Sequence, residues 1–246
     1  TNGDYSNLYG LEPNFGCCTA NMHQGWPKFV SHLWMATHDN GLAAVAYGPS
    51  VVTAKVGGGD IVTIHEETQY PFDEGILLIV QAEKPVKFPL QVRIPLWAEG
   101  ATVKVGEKTE NVKSGTFFTI DRTWKSGDRV TVILPMKLRT ETRYNDAVSI
   151  LRGPLYFSLK IGEVFKPLKK YHDTLPVVDY AVFPSSPWNY ALQIDRDNPQ
   201  SSIKTLIRDV GKIPFSNDSA PVVLTLKGRM LPEWTMKNNS ADAPPL

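Results

Sequence analysis

An all-β fold is predicted, built as two antiparallel β-sandwich units with one helix ahead of them. Three observations carry this. From about residue 41, short runs of Val, Ile, Thr and aromatics are divided by Gly, Pro, Asp and Asn at intervals that suit antiparallel strands. In the stretch Gln91-Val-Arg-Ile-Pro-Leu-Trp97, Val92, Ile94 and Leu96 alternate with Gln91, Arg93 and Pro95, which makes one face apolar and the other wet. Only the beginning shows helical spacing, where Met22, Trp26, Phe29, Val30, Leu33 and Trp34 recur three and four residues apart.

Each element follows from local chemistry. The apolar stripe predicts a helix over residues 20–36, with Thr19 as its N-cap and Pro27 kinking it or starting its straight portion. Asn40-Gly41 is a turn between two strand-like runs. Residues 55–82 give two more runs, broken by glycines and by Pro71-Phe-Asp-Glu-Gly75. Residues 115–136 read as two strands joined through Trp124-Lys-Ser-Gly-Asp128 in a hairpin or meander, where Gly127 can take a positive φ and Asp128 can bond its own backbone. Residues 163–189 lack clean alternation and read as a long excursion between strands. Strands return at residues 190–194, 202–210 and 221–231. The expected divisions are 1–38, 39–160 and 161–246, the alternative being one large sandwich with a long insertion.

Composition excludes several functions. Twenty-six basic residues against twenty-five acidic ones leave a net charge of +1, and no basic run is interleaved with aromatics, so no nucleic-acid partner is expected. The longest apolar runs, such as residues 75–80, are strand length and far short of the roughly 20 residues that span a bilayer, so no membrane partner is expected. The chain opens Thr-Asn-Gly-Asp without an initiator Met or a signal peptide, which suggests that it is processed or cut from something longer.

The only two cysteines, Cys17 and Cys18, are adjacent and stand just before the expected helix, where unpaired N–H groups would favour a thiolate. Local chemistry leaves three readings open. They could be small buried packing residues. They could be a strained redox pair, since adjacent Cα atoms lie about 3.8 Å apart and rarely allow a relaxed disulfide. They could ligate one zinc ion, which needs about four ligands; His23 is near, but neither a Cys-x-x-Cys partner nor a His pair completes a set.

Residues 10–37, Gly-Leu-Glu-Pro-Asn-Phe-Gly-Cys-Cys-Thr-Ala-Asn onward, followed by Gly41-Leu-Ala-Ala-Val-Ala-Tyr-Gly-Pro-Ser50, resemble the end of the catalytic barrel in the β-L-arabinofuranosidases of glycoside hydrolase family one hundred and twenty-seven. Residues 92–107, 122–136, 150–163 and 228–246 resemble the β domains that follow that barrel. The likeness thus runs over essentially the whole chain, with Cys17-Cys18, Asn21 and the apolar helix as its most specific part.

The resemblance implies a retaining glycosidase with an (α/α)6 barrel and two β-sandwich domains, of which the helix here is a remnant. It implies a zinc ion held by three cysteines and one glutamate. Carried over, Cys17 is the nucleophile and a zinc ligand, Cys18 is a second ligand, and His23 lies near the sugar. A zinc-bound thiolate can attack an anomeric carbon and later leave, while a glutamic acid protonates the departing oxygen and then activates water. The family's acid/base glutamate and its other zinc ligands lie upstream of the pair, where this chain has only sixteen residues and only Asp4 and Glu12 as carboxylates. The expectation is therefore a C-terminal fragment acting with an N-terminal barrel on plant-type oligosaccharides with arabinofuranoside linkages. Alone it is expected to hold no zinc and to be inactive. Segment 20–36, deprived of that barrel, is expected to self-associate, and export to a bacterial periplasm or cell surface goes with the resemblance to glycan-degrading enzymes.

The other candidates have plainer readings. His32 and His38 are assigned structural or solvent roles, and His65, beside Glu66 and Glu67, is assigned to the surface. Trp97, Trp124, Trp188 and Trp234 could stack on sugars if exposed, but packing is expected. Asn217 and Asn238 fit three-residue glycosylation patterns that arise by chance. The alternative to an enzyme fragment is a non-catalytic β-sandwich that binds carbohydrate or braces its neighbours.

Overall fold

A computed structural model of the chain describes residues 5–11 and 16–245, apart from the side chains of Gly16 and Thr19. The elements open with β1 (Leu8–Tyr9), α1 (Gly16–Met22), α2 (Gly25–Val30), β2 (Trp34–Ala36) and β3 (Leu42–Ala44). A run of strands follows: β4 (Ser50–Val56), β5 (Asp60–Thr68), β6 (Gly75–Ala82), β7 (Val86–Ile94), β8 (Thr102–Val105), β9 (Lys108–Asn111), β10 (Thr116–Trp124) and β11 (Arg129–Ile133).

Strands β2 to β11 make the expected sandwich. One sheet has the order β10-β7-β3-β2, and the other the order β4-β5-β6-β11-β8-β9. Their inner faces share one core. Val86, Phe88, Leu90, Val92 and Ile94 of β7 meet Ile64 of β5, Ile76, Leu78 and Val80 of β6, and Val130 and Val132 of β11. Alternation produces this directly, because successive side chains of a strand point to opposite faces and only one face reaches the partner sheet.

Several local expectations change. The single helix over 20–36 is two short helices ending at Val30, after which Leu33 is buried and Trp34 begins a strand. Thr19 lies inside α1 rather than capping it, and Pro27 sits in the first turn of α2, where its missing N–H costs no helical bond. Strand β7 ends at Ile94, so Leu96 is 81% exposed instead of continuing the buried face. The segment after Trp124 is not a hairpin: β10 pairs with β7 while β11 pairs with β6 and β8, so the chain crosses from one sheet to the other. Gly127 does take a positive φ of 89°, and the Lys125 amide donates to Asp128 Oδ2 at 2.9 Å. One pairing, β3 with β7, is parallel within an otherwise antiparallel sandwich.

Beyond it come β12 (Leu138–Thr142), β13 (Val148–Arg152) and β14 (Leu155–Phe157), an antiparallel three-stranded sheet. Next are β15 (Glu163–Lys170), β16 (Val178–Pro184), β17 (Tyr190–Leu192), α3 (Pro199–Ser202) and β18 (Lys204–Ile207), then β19 (Val222–Thr225), β20 (Gly228–Met230), β21 (Met236–Lys237) and β22 (Ser240–Ala241). They form small sheets, with Ile203 packed beside Leu138 and Ile150. The supposed excursion over 163–189 contains the β15–β16 pair. Its strand β15 is exposed along its full length, so neither face needs to be apolar and no alternation marks it in the sequence.

The turn between β13 and β14 depends on Gly153, whose φ is +55° and whose added Cβ would lie 2.6 Å from Met136 Cγ. Gly153→Ala is expected to cost about 1–3 kcal/mol of stability, read as a lower urea midpoint at constant slope.

Candidate functional site

Cys17 and Cys18 occupy the first turn of α1, not the loop before it, and both are exposed. Their sulfurs lie 3.7 Å apart and are not joined in a disulfide. Burial is therefore not what keeps two thiols here. The turn beneath them is tied by Asn21, whose Nδ2 donates to the Cys17 carbonyl at 2.6 Å, and by Gln24, whose Nε2 donates to Asn21 Oδ1 at 2.8 Å. Asn21 thus closes an i, i+4 loop on the carbonyl of Cys17, which fixes the backbone that aims the two sulfurs.

The geometry admits a metal. Two thiolates on a tetrahedral zinc ion, with bonds of about 2.3 Å, are separated by an edge of about 3.8 Å, against 3.7 Å here. Without a cation, Cys17 pushes the Cys18 thiol pKa up, first through their hydrogen bond and then through charge repulsion. A dication between the sulfurs reverses that sign. Among the described residues no third His, Cys, Asp or Glu joins the pair. Asp4 and Glu12 lie outside the described residues. His23, one residue past α1, is exposed, as are His32 and His38; His32 Nδ1 lies 2.6 Å from the Lys28 carbonyl.

The segment carrying the thiols is exposed along its helices and anchored after them. Met22, Trp26, Phe29 and Val30 are 49–77% open to solvent. The Leu33 carbonyl then accepts from the amides of Val45 and Ala46, and Trp34 Nε1 donates to Ser50 Oγ at 3.1 Å. Ser50 Oγ donates to Glu66 Oε2 and the Gly48 amide donates to Glu66 Oε1, both at 2.9 Å. Glu66 is 3% exposed, and desolvation drives its pKa up to about 7 against the pull of those donors. A carboxyl in that range suits general acid work, but both oxygens of Glu66 are engaged inside the sandwich, so it serves as an anchor. His65 is half-buried.

Glu66 follows His65, the residue expected at the surface, yet it is itself buried. The signal was present, because Val62, Ile64 and Glu66 share one face of β5 at the two-residue period. The tryptophans divide. Trp124 is fully buried and donates to the Phe88 carbonyl at 2.9 Å; Trp97, Trp188 and Trp234 are half-buried. The rings of Trp188 and Trp234 cross at 73° and 5.2 Å between centroids, so these two do not form a flat stacking platform.

Residues 41–136 match the sequence profile of the β-L-arabinofuranosidase GH127 middle domain, which coincides with the sandwich. No curated protein matches the chain. Among solved structures, a GH127 β-L-arabinofuranosidase from Geobacillus stearothermophilus T6 is similar at 19% identity and a TM-score of 0.52, over 69% of this chain and 35% of that one. A protein described as a glycoside hydrolase is similar at 20% identity and 0.52, over 70% and 37%. A GH127 β-arabinofuranosidase is similar at 22% identity and 0.54, over 78% and 36%. The chain therefore spans little more than a third of the length of these structures. The expected resemblance to family GH127 is borne out by the middle-domain match over residues 41–136, and the expected all-β fold by the likeness to these structures.

Proposed function

We propose, starting from a chain whose residues 41–136 carry the middle domain of the GH127 β-L-arabinofuranosidases, that it is part of a retaining glycoside hydrolase whose nucleophile is Cys17. The observation that carries this reading is the exposed pair of sulfurs at 3.7 Å, set directly before that domain. Cys17 and Cys18 would hold a zinc ion, which when bound keeps both sulfurs as thiolates near neutral pH. The Cys17 thiolate attacks the anomeric carbon of an arabinofuranoside-type unit in a plant-derived glycan, and the sugar becomes bonded to its sulfur. A carboxylic acid from elsewhere in the whole protein protonates the leaving oxygen, then takes a proton from the water that releases the sugar. His23 faces solvent one residue beyond α1 and is the candidate for contact with the sugar. Asn21 holds the Cys17 carbonyl and so the aim of the sulfur. By itself the chain offers two sulfurs and no paired carboxylic acid among its described residues near them, so it is proposed not to turn over alone.

The test compares this chain with the whole protein on an aryl β-L-arabinofuranoside. Turnover by the whole protein, none by the chain, and a loss of at least about a thousandfold in kcat for Cys17→Ala are expected. Full activity of the Cys17→Ala protein would overturn the assignment.

A second reading, a β module that braces its neighbours, is favoured over a sugar-stacking module by the full burial of Trp124 and the crossed rings of Trp188 and Trp234. Self-association through residues 20–36 is proposed for the chain on its own, since Met22, Trp26, Phe29 and Val30 expose apolar surface together. Light scattering at rising concentration should show dimers, and Trp26→Glu with Phe29→Glu should return the chain to a monomer.

A further inference from the structure

We infer that Asp179 is a positioning residue for the thiol pair, the point at which the second β region grips the segment that carries Cys17 and Cys18. The inference rests on Cys17 being the nucleophile.

The segment is held at both ends by different parts of the chain. Its far end is fixed to the sandwich through Leu33 and the Trp34–Ser50–Glu66 chain of donors. Its near end is fixed to β16. Leu8 and Tyr9 of β1 pair antiparallel with Ala181 and Tyr180, and the Val182 amide donates to the Asn7 carbonyl at 2.9 Å. Pairing two residues is a weak hold for a strand. Asp179 supplies the rest: its Oδ1 accepts from the Leu11 amide at 2.7 Å and its Oδ2 from the Tyr171 hydroxyl at 2.6 Å. The residue is 5% exposed, so both bonds form in a poorly hydrated place where a charged acceptor counts for more than it would in water.

Gly10 shows how closely this contact is drawn. Its φ is +147°, and a Cβ added there would lie 2.2 Å from Asp179 Oδ1 and 2.7 Å from Asp179 Cα. The backbone of residues 10–11 can press onto the carboxylate only because residue 10 has no side chain. Cys17 is six residues along the chain from Leu11, a reach of at most about 20 Å when extended. The near anchor therefore limits where the sulfurs can be. The strands that reading by alternation assigned to an excursion acquire a role in aiming the nucleophile, and a misplacement of about 1 Å can cost about a hundredfold in rate.

Two variants separate aiming from mere folding. Asp179→Ala removes the acceptor for Leu11, whereas Asp179→Asn keeps an oxygen for the Leu11 amide and offers an N–H to the Tyr171 oxygen. In the chain, hydrogen exchange at the amides of residues 8–11 should quicken at least about tenfold in Asp179→Ala while β7 stays protected. In the whole protein, kcat per bound zinc should fall about tenfold to a hundredfold with KM within about twofold, and Asp179→Asn should restore most of both. An unchanged kcat per zinc in Asp179→Ala, or an Asp179→Asn protein as impaired as the alanine variant, would overturn the inference. Failure of the nucleophile assignment would show separately, as turnover that survives Cys17→Ala.

Discussion

Replacing Trp124 with alanine is expected to lower the unfolding free energy by about 4 kcal/mol, within the range of about 3–5 kcal/mol for deleting a fully buried Trp or Phe side chain. Trp124 ends β10 and is wholly shielded from solvent at the centre of the sandwich. Three losses add. Its ring packs on Phe88 at 5.8 Å between centroids, and that contact goes. The Phe88 carbonyl loses the indole N–H at 2.9 Å and is left in the core without that donor. The Arg122 guanidinium, 5.2 Å from the ring centroid, loses the face it covers. Trp124→Phe keeps most of the apolar area and is expected to cost only about 1–2 kcal/mol. Urea unfolding followed by circular dichroism measures both, and an alanine variant within about 1 kcal/mol of the parent would show that this ring is not the centre of the core.

Glu66 gives the second large effect, and its direction is fixed by linkage. Its carboxyl titrates at about 7 in the folded chain against 4.5 as the ordinary value, because burial disfavours the charge. Between those values the folded state binds more protons than the unfolded one, so stability falls as pH rises. The contribution is fully present below about 4.5 and is lost as pH climbs through about 7. At 1.36 kcal/mol per unit the swing is about 3 kcal/mol. Asp39, Asp146 and Asp218 have pKa values lowered from 3.8 by their hydrogen-bonding partners, so they act in a separate window in more acid solution and with the opposite sign. Glu66→Gln can still accept from the Gly48 amide and can donate to Ser50, so it should fold and lose the slope. Measured from pH 5 to 8, the stability difference between Glu66→Gln and the parent should grow by about 2.5 kcal/mol in favour of glutamine. A constant difference would mean that Glu66 is not a buried titrating group.

What the sequence made legible follows physical rules that act locally. Alternation found β5, β6 and β7 because one face of each is buried against a second sheet, and the Asn40-Gly41 turn is there, with Asn40 at φ 58°. Alternation cannot say which strands pair. The glycine turn after Trp124 looks like a hairpin, yet its flanking strands find separate sheets, since pairing is decided by distant partners. Strand β15 escaped notice because exposure on both faces removes the period. Leu33 and Trp34 carried a helical spacing, but tertiary burial beside Val45 and Ser50 took them into a strand and its approach. At the candidate site the adjacent thiols could be read at once. Asp179 could not, because its meaning comes from a backbone amide 168 residues away.

Zinc bound by the whole protein tests the central claim most directly, with X-ray absorption reading its sulfur shell before and after Cys17→Ala and Cys18→Ala are introduced together. The account predicts zinc–sulfur distances of about 2.3 Å in the parent, and loss of that shell together with most of the metal in the double variant. Stoichiometric zinc with an unchanged sulfur shell after both thiols are removed would contradict it.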